Sequence, residues 1–514
     1  MSNSYTKNYI HIYIWRTISI VSGFLSLLVV VPHLSNNQEL YGIYSFCISF
    51  TLYLTYADIG FLGAGQKYAA EEFVKGNRKR EYEIFGFTGM ILLLMILPFS
   101  IAMFYFSIHP NIVINNLSEE GQAIAGKIFF IIGLISPFQV LLQRLTQSIL
   151  IIRIKDYVSL RIDIIFNLIK IISVLFFFGN GKYMIVEYFL FINILTILGS
   201  FIVVGIIIKT EQYDFIHLIK SIKLSKEYFR LTKHLAFASL ISTIGWLIYY
   251  ELDLVIIGKW LGPSDVAIYA IGFTFLNFIR TLWNIIFSPY AQRFNHFSGN
   301  NDISSMKKMA TKIIEYTAPL CIIVTTVLIL SASYLVIFWV GEDYTNSILI
   351  LQILITGTIF GFISNPASYY FVAKTKYKYI YATASFLPLV FISCIFVLVP
   401  QIGLVGFAIS KTIGMTVGFI ISIIGISKLI NVYSILGKRI LPVSFFITLS
   451  IIVFPWLLSR IFDDVSKSTT NLILLIFILG IWIFFGLIFN YLIQKEYRVL
   501  VTDFVKQKFA SLQK

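Results

Sequence analysis

Thr274, Asn277, Arg280 or Thr281, Asn284 and Ser288 recur every three or four positions through an otherwise apolar stretch. On a helix they form one continuous polar stripe. Arginine keeps its charge under essentially all conditions and presents five N–H donors in a planar fork. The chemistry on offer is therefore recognition of an anion, above all paired phosphate or carboxylate oxygens. Arg280 lies about fourteen residues, or roughly 21 Å of helix rise, from the outer end of its stretch. That is too deep to reach either surface comfortably by extending its side chain. It needs either a wet, anion-accepting cavity or an acid that locks two helices together.

A second stripe, Ser239, Ser242, Trp246, Tyr249 and Asp253, ends in an acid, and Glu251 points to another face. Both acids lie near the outer end, where proton or cation coupling and simple interfacial placement are equally open. Arg16, Ser19, Gly23 and Ser26 repeat the theme near the N-terminus. Arg16 sits about 10 Å in from the inner boundary, as a second cavity cation or a snorkelling one, and the small residues also suit helix packing. Asp58, in Ala57-Asp58-Ile59-Gly60, is a candidate for coupling, for binding loop cations or for capping a helix. Lys411 is a weaker pathway cation. Asp163, Asn167 and Lys170 share a face and are expected to satisfy one another.

No enzyme chemistry stands out. The six histidines lack ligand spacing, and Cys47, Cys321 and Cys394 lie in apolar runs without a C-x-x-C pattern, so no metal and no cofactor is expected. Gly121-Gln122-Ala123-Ile124-Ala125-Gly126-Lys127 has phosphate-loop spacing, but Ile128 replaces the hydroxyl that would hold magnesium, and no strand precedes it.

The elements that must position these residues are membrane helices. Of 514 residues, 58% are hydrophobic and only 13% charged, with a mean hydropathy of +0.85, which describes a chain whose solvent is lipid. A bilayer core of about 30 Å needs roughly twenty apolar helical residues. That window predicts about fourteen spans, among them 10–31, 40–62, 157–178, 235–259, 266–289, 313–340, 347–371 and 470–493. The first is read as a span and not as a removed signal, because it lacks a small-residue cleavage pattern.

Forty Lys and Arg against twenty-five acids leave a net charge of +15. The basic residues form short clusters between apolar runs, which excludes a nucleic-acid stripe and fits loops facing anionic lipid headgroups. With the N-terminus inside, about 29 Lys and Arg fall in inner segments, about five in outer ones and about six within spans. Both termini are thus expected to be cytoplasmic, as is the loop around Asn77, with the loop around Asn115 outside.

Residues 209–234 interleave Lys220, Lys223, Lys226, Arg230 and Lys233 with Phe215, Ile216, Ile219 and Ile222. This reads as an amphipathic linker on the inner surface, and the tail after Gln494 has a similar pattern. The expected organisation is spans one to six in 1–208, the linker in 209–234, spans seven to twelve in 235–430, and two added spans with a basic tail in 431–514. Gly42-Ile43-Tyr44-Ser45-Phe46 and Ala267-Ile268-Tyr269-Ala270-Ile271 open corresponding spans six apart, a faint internal repeat.

Tyr41-Gly42-Ile43-Tyr44, Tyr56-Ala57-Asp58-Ile59-Gly60-Phe61 with Ala64, and Tyr68-Ala69-Ala70 are the first carriers of a family likeness. Asp253 with Ile257-Gly258, Val266-Ala267-Ile268-Tyr269-Ala270 and Ser288-Pro289-Tyr290 are the others. Over roughly residues 10–430 the chain resembles the polysaccharide flippases of the multidrug/oligosaccharidyl-lipid/polysaccharide exporter superfamily. The resemblance implies an all-α integral membrane protein of the bacterial cytoplasmic membrane. Two six-helix lobes related by a pseudo-twofold axis, plus two extra C-terminal helices, would alternate access around a cavity lined by spans one, two, seven and eight. The implied cargo is an undecaprenyl-diphosphate-linked oligosaccharide, an O-antigen or capsule repeat unit. Polysaccharide polymerase and chain-length regulator are the implied partners.

The diphosphate would fall to Arg280, Arg16, Asn277, Asn284 and Lys411, and coupling or ion pairing to Asp253, Asp58 and Glu251. The two extra spans also suit a lipid II flippase. A drug or cation exporter would carry mainly acidic cavity residues, and a membrane-embedded polymerase or ligase would need a large external loop. The longest outer loop expected here is 107–127.

Overall fold

A computed structural model describes residues 2–58, 60–494 and Arg498; of these, the side chains of 2–10, 13, 238–239, 241–242, 436 and 438–442 are outside the description. The expected amphipathic tail lies outside the described residues. All regular structure among them is helical. Packing divides the chain into two units, Met1–Ala267 and Ile268–Lys514.

The first unit contains α1 (Ser2–Leu34), α2 (Gln38–Leu54), α3 (Phe61–Val74), α4 (Arg78–Ile108), α5 (Glu119–Ile151), α6 (Tyr157–Phe178) and α7 (Ile185–Glu211). The short α8 (Phe215–Lys220), α9 (Lys226–Tyr250) and α10 (Asp253–Trp260) follow. Helix α11 (Pro263–Gly299) begins in this unit and continues into the second. The second unit adds α12 (Ile303–Leu330), α13 (Ala332–Val340), α14 (Asn346–Thr356), α15 (Gly361–Ala373), α16 (Tyr377–Ile402), α17 (Leu404–Ile426), α18 (Val432–Ile461) and α19 (Thr469–Ile493).

Among the described residues eleven helices, with α14 and α15 taken as one, are long and apolar enough to cross a membrane. The second, fifth and seventh expected spans fall outside those eleven. Helix α2 stops at Leu54 after 17 residues. Helix α6 carries Arg161, Asp163 and Lys170 along its length. Helix α9 ends at Tyr250, and a turn at Glu251 separates it from α10. The expected outer loop also shortens to 109–118, because α4 runs to Ile108 and α5 starts at Glu119.

Polar side chains start the helices. Asn37, Asn77, Ser118, Asp214, Ser225, Asp302, Asn431 and Ser468 each accept a hydrogen bond from a first-turn N–H, which satisfies donors the helix cannot. In the first unit α1 packs on α6, α6 on α7, α7 on α5, and α5 on α4 and α2. Helix α2 approaches the α10–α11 corner closely. A Cβ on Gly42 would lie 1.8 Å from the Pro263 carbonyl oxygen, so only glycine fits.

The ends of α4, α5 and α7 are joined by ions. Arg153 Nη2 donates to Glu81 Oε1 at 2.6 Å, Arg153 Nε lies 3.6 Å from Glu211 Oε2, and Lys155 Nζ is 2.6 Å from Glu211 Oε1.

In the second unit α12 packs against α14, α15, α18 and α19. Phe446, Phe454, Trp482, Phe485 and Phe489 form the aromatic seam between α18 and α19. Between α14 and α15 the chain tightens into a 3₁₀ turn, Gly357–Phe360. The Thr358 carbonyl there accepts from the Gly361 N–H and from Trp283 Nε1 of α11, the latter at 3.2 Å.

Candidate functional site

Helix α11 sorts its residues by face. Leu276, Ile279, Trp283 and Phe287 are buried, whereas Asn277 and Asn284 are exposed and Arg280 is half-buried. This is the amphipathic arrangement that the spacing implied. Arg280 Nη1 donates to Asn277 Oδ1 at 3.0 Å, so the amide steadies the guanidinium one turn away. Thr274 and Thr281 donate their hydroxyls to carbonyls of their own helix, those of Ala270 and Asn277. The stripe thus carries one guanidinium flanked by two exposed carboxamides. A planar fork beside two carboxamides can bind a phosphate through paired charge-assisted hydrogen bonds.

In the first unit, Tyr53 Oη donates to the Glu251 carbonyl at 3.0 Å, Tyr56 Oη to Glu251 Oε1 at 3.4 Å, and Trp246 Nε1 to Tyr56 Oη at 3.1 Å. Glu251 therefore sits in an aromatic cluster where α9 ends. Asp253 is buried in the first turn of α10. The side chains of Ser239 and Ser242 lie outside the description. Asp58 Oδ2 accepts from the Leu62 N–H at 3.1 Å, just after Gly60 turns the chain with φ 80°. Of the readings open for Asp58, helix capping is the geometry seen.

Arg16 pairs with Asp156, Nη2 to Oδ2 at 3.1 Å, across α1 and α6, with its side chain 55% exposed. Lys411 is fully buried on α17, its ammonium 4.7 Å from the centre of the Phe273 ring and 5.4 Å from that of Phe391, a cation held against aromatic faces. The structure thus brings Arg280 together with Asn277. Arg16 and Lys411 stand in other settings.

Sequence reasoning missed a partly open cavity of about 360 Å³ lined by polar and apolar residues of α1, α5, α6 and α7. Asp163, Asn167 and Lys170 line it, and the Asp163 carboxylate and the Lys170 ammonium attract one another without direct contact. Asn167 Nδ2 donates across to Ser22 Oγ on α1 at 3.1 Å, and among the described residues Asp163 and Lys170 form no ion pair. The legible signal was the pair Gln143 and Gln147, one turn apart on an apolar helix. The buried Arg153–Glu81 pair was missed as well, because both charges lie at helix ends where solvent exposure is the ordinary expectation. Among the described residues no three His, Cys, Asp or Glu side chains are grouped to hold a metal.

No protein-family model and no curated protein matches this sequence. Solved structures do match in fold. A lipid II flippase MurJ in an inward closed conformation aligns with a TM-score of 0.69 at 18% identity, covering 96% of this chain and 100% of that one. An inward-facing multidrug resistance MATE family transporter of the MOP superfamily aligns at 0.62 and 12% identity, covering 79% and 95%. The bent form of the Vibrio cholerae MATE transporter VcmN aligns at 0.56 and 12% identity, covering 83% and 98%. The chain is an all-helical, multi-pass protein with the fold of these transporters.

Proposed function

We propose that this chain is a transporter that flips an isoprenoid-diphosphate-linked oligosaccharide, an O-antigen or capsule repeat unit, across the bacterial cytoplasmic membrane by alternating access. The observation that carries this reading is the polar face made by exposed Asn277, half-buried Arg280 and exposed Asn284 on a helix long and apolar enough to span a bilayer. A permanent cation at that depth is costly unless it meets water or an anion, and a diphosphate is the anion on such a cargo. In this mechanism Arg280 takes phosphate oxygens bidentately. Asn277 holds the fork in register, and Asn284, about two turns from Asn277, offers an amide to the adjoining sugar. Glu251 at the end of α9 and Asp253 in the first turn of α10 are the candidates for ion coupling.

The decisive experiment is a leaflet assay in cells lacking the protein. Finished lipid-linked repeat units are expected to accumulate on the inner leaflet. Normal delivery to the outer leaflet with altered chain length would favour a polymerase instead.

A second reading, lipid II as cargo, is favoured by the fold match to MurJ along the whole of that chain. It shares the diphosphate chemistry and is distinguished by complementation: rescue of cells depleted of their lipid II flippase would replace the repeat unit with the peptidoglycan precursor.

A further inference from the structure

The first unit holds the cavity lined by α1, α5, α6 and α7. Membrane helices ordinarily close on small or apolar residues, and a polar void among them is sustained only when water or a ligand meets its groups. Here α5 contributes Gln143 and Gln147, and α6 contributes Asp163, Phe166, Asn167 and Lys170. The polar α6 residues lie at i, i+4 and i+7, which spreads them over about 10 Å of helix rise on one face.

Their chemistry narrows the occupant. Each carboxamide both donates and accepts, the carboxylate accepts twice, and the ammonium donates three times. A metal would meet one carboxylate and a neighbouring cation. A phosphate would meet one cation opposed by an acid. A ring of hydroxyls needs donors and acceptors together, and the Phe166 side chain supplies an apolar wall for its C–H face. A volume of about 360 Å³ is at the small end of the ~300–1,000 Å³ typical of ligand pockets, a size for one ring and not for an oligosaccharide.

One end of the cavity is bridged. Ser19 and Ser159 line it, and the partners Arg16 and Asp156 lie three residues before them on the same two helices. The ion pair therefore joins α1 to α6 about one turn beyond the cavity. An arriving anion would compete with Asp156 for the exposed guanidinium.

We infer that this cavity is a subsite for a single sugar ring, bridged at one end by Arg16 and Asp156. The inference rests on the proposed function only for the source of the ring, since a carrier-linked saccharide and a free monosaccharide present the same hydroxyls.

The test is calorimetric titration of the purified full chain with methyl glucoside, methyl N-acetylglucosaminide and methyl galacturonide. At least one is expected to bind saturably. Gly23→Leu should weaken that binding at least tenfold, because a Cβ there meets nothing nearer than Asn167 Nδ2 at 4.0 Å and the longer side chain grows into the cavity. Asn167→Leu should do the same, and Gly480→Leu on the exposed face of α19 should leave affinity unchanged. Absence of saturable binding to the wild type, or binding indifferent to Gly23→Leu in a folded protein, overturns the inference. Displacement by a short-chain polyisoprenyl diphosphate monosaccharide assigns the ring to carrier-linked cargo, and binding without such displacement assigns it to free sugar. The readout uses isolated protein, so its failure is separable from a failure of export in cells.

Discussion

Arg153 Nη2 and Glu81 Oε1 stand 2.6 Å apart with both side chains closed off from solvent, 1% and 0% exposed. The guanidinium also lies against the rings of Phe73 and Tyr213. Removing Arg153 leaves the buried Glu81 only Arg78, whose Nη1 lies 3.3 Å from its Oε2, a loss of up to the about 3–5 kcal/mol of breaking a buried pair, whereas replacing both members with apolar residues is often close to neutral. Arg153→Met should therefore lower the melting temperature in detergent clearly, and Arg153→Met with Glu81→Met should recover much of it. A single variant that melts like the wild type would remove this clamp from the account.

Gly42→Ala places a methyl 1.8 Å from the Pro263 carbonyl oxygen, and a backbone atom cannot swing aside as a side chain can. The expected loss is at or above the upper end of the about 1–3 kcal/mol typical of overpacking. Gly205→Ala on α7, where nothing lies within 4 Å, should be neutral or stabilising by up to about 1 kcal/mol. Melts of the two variants side by side check the contrast.

Arg280→Ala should leave protein abundance normal and abolish surface polysaccharide, a loss of tenfold or more. Arg280→Lys should keep part of the activity, since a point charge still attracts diphosphate without the bidentate fork. Asn277→Ala removes the amide 3.0 Å from the guanidinium and should reduce export less than Arg280→Ala does. Full polysaccharide production by Arg280→Ala at native expression would sink the site assignment. Rescue of an unstable Arg280→Ala by neutralising Asp253 would convert it to a helix-locking pair.

Topology is open to chemistry at two exposed positions, Asn77 and Asn111. In a cysteine-free background, Asn111→Cys should react with a membrane-impermeant maleimide added outside intact cells, and Asn77→Cys should react only after lysis, following the distribution of Lys and Arg. The reverse labelling would invert the map.

Asp302 caps α12, and hydrogen bonds from Ser305 and Ser304 hold its carboxyl at about 2, below the ordinary 3.8. Because the folded value is the lower one, the cap's contribution is complete above the unfolded value and disappears as pH falls through about 2. Asp302→Ala should thus speed amide exchange at 303–306 by a factor that stays constant between pH 5 and 9, once intrinsic exchange is corrected. A factor that changes within that interval would contradict the assignment.

Much of the fold was legible because lipid enforces it: apolar runs of helical length have no alternative to helix in a bilayer. What was not legible depends on partners distant in sequence. The run 235–259 reads as one span, yet the turn at Glu251 is tied down by Tyr53, about 200 residues away. Arg16 reads as a cavity cation, and its pairing with Asp156 is a matter of how α1 lies on α6. The exposed face of α11 was readable because it needs only one helix. The cavity of the first unit needs four, so the helical spacing within α5 and within α6 could not show that the two sets of residues face one space.

The 3₁₀ turn at Gly357–Phe360 sets a bend between α14 and α15. Where the i→i+4 ladder is interrupted, a helix bends at less cost than along a regular stretch. The buried Thr358 carbonyl in that turn accepts from the indole of Trp283 as well as from the Gly361 N–H, and Trp283 lies three residues beyond Arg280 on α11. Straightening the span into regular α-helix would draw that carbonyl back toward the chain and loosen the indole, and sharper bending would pull on it. The buried face of α11 is thereby tied to the bend of a helix more than 70 residues further along the chain, while its polar stripe lies on the opposite side.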